Sequence, residues 1–132
     1  MLCDGPLPSP SSHKRSPPHR YSVTPEVLAL HQARTCRRFG GGSVVADAMA
    51  GCGGNVIQMA NVFAHVLGIE ISQRRCSMAA ANTGVYGMLG KADFLCTDFF
   101  AVAPRLLVDA IFVSPPWGGP KYQVRAKGIV YS

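Results

Sequence analysis

The sequence predicts an α/β fold in which a parallel, doubly wound sheet carries helices on both of its faces. Two patterns lead to this prediction. Short apolar segments of strand character alternate with segments of helical periodicity, as in the strand–helix units of parallel sheets. In addition, the first three predicted strands each run into an acidic residue, namely Asp47, Glu70 and Asp98. Because ligands of open parallel sheets bind beyond the carboxyl ends of the strands, the second pattern also predicts where a binding site lies.

The first 20 residues are predicted to form a disordered tail, and residues 21–132 a single domain. Residues 1–20 are rich in proline, serine and histidine and lack periodic apolar positions. A chain of 132 residues is long enough for one domain with a small core.

The first ordered element is predicted to be a helix that begins after Thr24. Threonine is a favourable N-cap residue, and Pro25 loses no hydrogen bond at the first helical position. The helix is expected to end at the three glycines that start at Gly40. The residues predicted to fall near one face of this helix are Val27, Leu28, Leu30 and His31.

Four strands are predicted, at residues 44–46, 64–71, 92–96 and 110–113. One helix is expected to begin near Asn55, and another to run from Gln73 to about Tyr86 with Ser72 as its N-cap. In the strand order typical of this architecture the fourth strand is interior, and the residues after it offer at most one further short strand. We therefore expect the C-terminal part of the sheet to be missing. The 110–113 edge would then be uncovered and able to pair with a second copy.

The basic charge of the chain lies mainly in its terminal segments. The net charge is +6, of which residues 1–20 contribute +2 and residues 110–132 contribute +3. A basic fringe beside a site suits a polyanion such as RNA, although a merely soluble basic protein would carry the same charge. The five cysteines are odd in number and form no CxxC pair, so we predict a reducing intracellular compartment and no metal site. No apolar run approaches the about 20 residues of a membrane span.

A glycine-rich loop follows the first predicted strand. It starts at Asp47, contains Gly51 and Gly53, and leads into a helix near Asn55. Glycines allow the backbone to turn tightly and to approach a ligand closely. The carboxylate would repel a pyrophosphate but suits an amino group, such as that of the methionine moiety of S-adenosylmethionine. A glycine-rich turn without any ligand is the alternative.

The acids after the second and third strands fit the rest of such a cofactor. Glu70 at the end of its strand can accept hydrogen bonds from both ribose hydroxyls. Asp98 is placed to meet the adenine edge. Each could also be a solvated acid, and a nicotinamide dinucleotide site would share Glu70 but would not explain Asp47.

The fourth strand runs into Ser114-Pro115-Pro116-Trp117. A purine exocyclic amine is a poor nucleophile because its lone pair is delocalised into the ring. The side chain of Ser114 and the carbonyl of Pro115 could accept hydrogen bonds from such an amine, and Trp117 offers a flat face on which a base can stack. A cationic base such as 7-methylguanine would add a cation–π interaction. A proline-rich turn with a packing tryptophan is the alternative.

Together these motifs resemble the trimethylguanosine synthase family over roughly residues 21–122. The segments that carry the resemblance are Ser22-Val23-Thr24-Pro25-Glu26, Asp47-Ala48, Gly51-Cys52-Gly53-Gly54-Asn55, Val85-Tyr86-Gly87 and Ser114-Pro115-Pro116-Trp117-Gly118-Gly119-Pro120. The resemblance implies a class I S-adenosylmethionine-dependent methyltransferase of Rossmann-like fold. It also implies methylation of the N2 amine of a 7-methylguanosine RNA cap, as on small nuclear and nucleolar RNAs. The implied location is the nucleus or nucleolus, with the cytoplasm as a further one.

The resemblance also assigns roles to individual residues. The residues implied to hold the cofactor are Asp47, Glu70 and Asp98, with Thr24 near it. For the substrate, it implies that Trp117 stacks on the cap guanine, that Ser114 faces the amine and that Asn82 helps to hold the base.

Two alternatives to a cap methyltransferase stay open at this point. One is an exocyclic-amine methyltransferase acting on internal bases of RNA or DNA, although Asp or Asn usually opens the corresponding motif there in place of Ser114. The other is a non-catalytic remnant that keeps the cofactor half, because family members usually continue well beyond the Trp117 segment. Lys121 also stands where the family commonly has an acidic residue.

Overall fold

A computed structural model describes residues 24–115 of the chain. Its helices are α1 (Glu26–Gly40), α2 (Gly54–Ala60), α3 (Gln73–Val85) and α4 (Phe99–Val102), and its strands are β1 (Val44–Asp47), β2 (His65–Glu70), β3 (Ala92–Cys96) and β4 (Ala110–Phe112). Short 3₁₀ turns at Leu89–Lys91 and Ala103–Arg105 precede β3 and β4. The predicted tail at residues 1–20 and the predicted stacking residue Trp117 lie outside the described residues.

The four strands form one parallel sheet in the order β3-β2-β1-β4. Each strand lies within one or two residues of its predicted position, and Ser72 caps α3 by accepting a hydrogen bond from the Arg75 N–H. Because all strands are parallel, the ends of β1 at Asp47 and of β2 at Glu70 lie at the same edge of the sheet. The predicted parallel α/β architecture is confirmed.

The core lies where α1 and α2 pack on one face of the sheet. Its fully buried members include Val45, Val66, Val56 and Met59, which come from β1, β2 and α2. From α1, Ala33 joins this cluster. The small side chain of Ala33 allows α1 to pack closely on the residues of the sheet and α2, so that all of them form one core cluster.

Gly68 in β2 makes room for an aromatic ring in the neighbouring strand. A Cβ atom at this position would lie 2.7 Å from the ring of Phe94 and 3.2 Å from Val56. We expect Gly68→Ala to lower the free energy of unfolding by about 1–3 kcal/mol, because the ring would have to leave its packed position. Urea denaturation measures this loss. Gly90→Ala is the matched control, since a Cβ there meets no atom within 4 Å, and an equal loss in both variants would contradict the packing argument.

The prediction for α1 was wrong in two details. Pro25 is the N-cap, and it makes no side-chain capping hydrogen bond, so Thr24 does not cap the helix. The buried face is formed by Ala29 and Ala33, whereas Val27 is 84% exposed. Alanine packs closely against the sheet and α2, so Val27 and Leu28 are turned away from the core.

Strand β4 lies at the edge of the described sheet, and its Ile111 is 46% exposed. The carboxylate of Asp109 just before it accepts hydrogen bonds from the Val44 and Ser43 N–H groups, and these bonds lower the pKa of Asp109. Self-association through this edge stays a prediction. Residues 24–115 contain no helix that is long and apolar enough to cross a membrane.

Candidate functional site

A cleft of about 760 Å³ opens at the edge of the sheet where the strands end. Its size is that of a site for a ligand of cofactor dimensions. The loop after β1, the end of β2, the loop after β3, the end of β4 and the start of α1 each contribute to its walls. Of the residues predicted to form the site, those that line it are Thr24, Gly51, Glu70, Asp98, Ser114 and Pro115.

The two glycines assigned to the loop serve different purposes. Gly51 adopts a left-handed conformation with φ +56°, and a Cβ there would point into open space, so its backbone is free to approach a ligand. Gly53, with φ +88°, does not line the cleft. A Cβ on Gly53 would lie 3.1 Å from Ala79, so this glycine lets the loop pack closely on α3.

Glu70 is a buried carboxylate in the cleft wall, with 5% of its surface exposed. One oxygen, Oε1, accepts hydrogen bonds from the Ser72 N–H at 2.8 Å and from Arg75 Nη2 at 2.7 Å. The other, Oε2, accepts from the Gly51 N–H at 3.0 Å. The carboxylate therefore joins the glycine loop to the start of α3, and the ion pair in turn raises the pKa of Arg75.

Asp47 lies beneath the glycine loop rather than on the cleft surface. Its side chain is fully buried; Oδ1 accepts a hydrogen bond from the Met49 N–H at 3.2 Å, while Oδ2 has no partner. The pKa of Asp47 is raised to about 7, mainly by burial and to a smaller extent by the nearby Glu70, against the lowering effect of the Met49 bond. An acceptor without a partner next to a cleft is a point at which a cationic group would be stabilised.

Two asparagines have the roles that are hardest to read from sequence. Asn82 is buried in α3 and its Nδ2 donates to the Cys52 carbonyl at 2.9 Å, so it fastens the loop from behind and does not line the cleft. Asn55, for which the sequence indicated no individual role, lines the cleft, and its buried Oδ1 has no partner. Its position at the end of the glycine-rich motif was the signal that could have found it.

The remaining walls are formed by the loop after β3 and the end of β4. Asp98 accepts a hydrogen bond from the Phe100 N–H at 3.0 Å and so caps α4 with the carboxylate at the cleft. Two aromatic rings, Phe99 and Phe100, follow it in an edge-to-face contact with centroids 5.4 Å apart. Within residues 24–115 no group of three or more histidine, cysteine or acidic side chains could hold a metal ion.

Similarity to known proteins shows the family of the chain. Residues 42–128 match the family model described as RNA cap guanine-N2 methyltransferase. The chain belongs to this family. It is 40% identical over 111 residues to the trimethylguanosine synthase of Schizosaccharomyces pombe, which covers 77% of this chain and 45% of the relative. It is 32% identical over 108 residues to the enzyme of the same name from Saccharomyces cerevisiae, covering 77% of this chain and 34% of the relative.

The chain thus spans less than half the length of these two relatives. Its fold is similar to that of a putative RNA methyltransferase from Pyrococcus horikoshii, with a TM-score of 0.59 and 22% identity over 80% of this chain and 53% of the other. The predicted class I methyltransferase fold is confirmed. S-adenosylmethionine as the cofactor is confirmed at the level of family and fold.

Proposed function

We propose that this chain takes part in transferring a methyl group from S-adenosylmethionine to the N2 amine of a 7-methylguanosine RNA cap. The observation that carries the proposal is that Ser114 and Pro115 line the same cleft as Gly51 and Glu70. In a chain of the cap guanine-N2 methyltransferase family, this arrangement brings the proposed amine acceptors and the proposed cofactor wall to one cavity.

The residues on the described walls fit the cofactor. Glu70 would accept from the ribose hydroxyls, and Asp98 would meet the adenine edge. The backbone at Gly51 offers close approach, and Thr24 lies at the rim. The acceptors without partners on Asn55 in the wall and on Asp47 beneath the glycine loop would suit the amino group of the methionine moiety. When bound, the cofactor supplies an electrophilic methyl group on its sulfonium.

The acceptor side would be built from the segment after β4. The Ser114 hydroxyl and the Pro115 carbonyl would accept hydrogen bonds from the guanine N2 amine, which favours a pyramidal nitrogen with a more available lone pair. Trp117 would stack on the base. The resemblance implied that Asn82 contacts the base. Because Asn82 is hydrogen-bonded to the Cys52 carbonyl, we propose instead that it acts indirectly, by holding the glycine loop in place.

Capped small nuclear and nucleolar RNAs are the substrates we propose, and the nucleus the location. A single assay tests the activity. The purified chain is incubated with labelled S-adenosylmethionine and a cap dinucleotide with or without the 7-methyl group, and the product is digested and identified by mass. We expect N2-methylguanosine mainly from the 7-methylated cap. Equal use of both caps would favour an internal-base enzyme, and cofactor binding without any turnover would favour a non-catalytic remnant.

Trp117→Ala is expected to remove most of the binding of the 7-methylated cap, whereas Trp117→Phe should retain part of it. A cationic base gains about 0.5–2 kcal/mol from stacking on an aromatic face, which corresponds to roughly 2–30-fold in affinity. Isothermal titration calorimetry with cap analogues measures the effect, since the variants lack the single tryptophan of the sequence and with it the intrinsic fluorescence signal. The unmethylated cap should bind less tightly to the wild type, and a Trp117→Ala variant that still prefers the 7-methylated cap would contradict the stacking role.

A further inference from the structure

Helix α1 connects the cleft to a distant exposed surface. Its residues Leu28 and Gln32 line the cleft. Thr35 and Phe39 continue the same helical row, because residues three and four positions apart share a face. From Leu28 to Phe39 this row extends about 16 Å along the helix axis. Phe39, at its far end, is 80% exposed.

Two exposed arginines, Arg34 and Arg38, lie on the same part of α1 as Phe39. They lie one helical turn apart. The guanidinium of Arg38 lies 5.6 Å from the centre of the Phe39 ring. The only acidic residue of α1 is Glu26, in the first turn, so the far half of the helix is uniformly basic. Arginines beside an exposed ring form the combination that binds the phosphates and bases of single-stranded nucleic acid.

We propose that Arg34, Arg38 and Phe39 form a binding track for the first nucleotides of the RNA that follow the cap. The two arginines contact backbone phosphates and Phe39 stacks on a base, so that the RNA runs along α1 away from the cleft. This inference rests on the proposed function for the direction of the RNA, but the track itself binds single-stranded RNA with or without a cap. An acidic protein segment is less suited, because it would leave the aromatic ring unused.

The test compares ligands that do and do not reach the track. Binding of a cap dinucleotide and of a capped single-stranded RNA of twelve nucleotides is measured for the wild type, for Arg34→Gln/Arg38→Gln and for Phe39→Leu. We expect the double variant to bind the long RNA roughly tenfold more weakly and to lower the salt dependence by about 1.4 in log–log slope, at 0.7 per lost phosphate contact. Phe39→Leu should weaken it roughly fivefold. Neither should change binding of the dinucleotide.

Lys91→Gln is the matched control. It also removes one exposed positive charge, but Lys91 precedes β3, at the opposite edge of the sheet from β4. An equal loss per removed charge in this variant, or no loss in the double variant, would overturn the track. Uncapped RNA separates the two proposals: if the cap adds nothing to affinity while the double variant still weakens uncapped RNA, the cap function fails and the track stands.

Discussion

Replacing Glu70 with alanine is expected to weaken the binding of S-adenosylmethionine at least tenfold, and about a hundredfold if both ribose bonds are lost. A hydrogen bond to a charged acceptor contributes roughly 1.5–3 kcal/mol, so one lost bond already gives the lower figure. The carboxylate is preorganised for binding, because it accepts hydrogen bonds from the Ser72 and Gly51 N–H groups and from Arg75 in the ligand-free chain. Isothermal titration calorimetry measures the loss.

Loss of Glu70 also releases the glycine loop, and a control must separate the two effects. An analogue without ribose hydroxyls provides it. The wild type should bind this analogue much more weakly than the cofactor, whereas Glu70→Ala should no longer distinguish the two ligands. If Glu70→Ala still prefers the natural ribose by the same factor, Glu70 does not contact the hydroxyls and acts only on the loop. Glu70→Gln, which keeps an acceptor oxygen but loses the ion pair with Arg75, should be intermediate.

The strands could be predicted from the sequence because their signal is local. Apolar runs bounded by glycine or polar residues set the positions of β1 to β4 to within one or two residues. The face of α1 could not be predicted in this way. Hydrophobicity favoured Val27 and Leu28, but the close contact of α1 with α2 and the sheet selects Ala29 and Ala33 for their small size. That selection depends on tertiary packing, which periodicity alone does not contain.

The site residues that directly follow strands could be predicted from the sequence. The positions of Asp47, Glu70 and Asp98 after successive parallel strands bring them to one edge, and Glu70 and Asp98 line the cleft there. What the sequence could not show is which of these residues reach the cleft surface and which are buried beneath it. Asp47 lies under the loop and Gly53 packs against α3, because the loop of residues 48–53 can turn a given residue toward the ligand or toward the protein. Arg75 was missed as the partner of Glu70, although its place in the first turn of α3 was a usable signal.

Asp47 should make the stability of the ligand-free chain fall as the pH rises from about 4 to 7. Its pKa in the folded state is about 7, because burial disfavours the charge, whereas the unfolded value is close to 3.8. The native state therefore holds a proton that the unfolded state has already released. The stability contributed by protonated Asp47 is complete below pH 4 and is lost as the pH rises through the folded pKa. The difference between the folded and unfolded pKa values corresponds to roughly 4 kcal/mol, or about a thousandfold in the unfolding equilibrium.

Asp47→Asn should flatten this dependence between pH 4 and 7, since an amide of the same shape does not titrate. Urea denaturation of both proteins across that range measures the difference, and parallel curves would show that Asp47 is not the titrating group. The same carboxylate should couple the cofactor to protons: a cationic amine bound beside the free Oδ2 favours ionisation, so binding should release a proton and tighten as the pH approaches 7. In Asp47→Asn this tightening should vanish. The same buried carboxylate that is unfavourable to ionise in the ligand-free chain would then be the group that holds the cofactor.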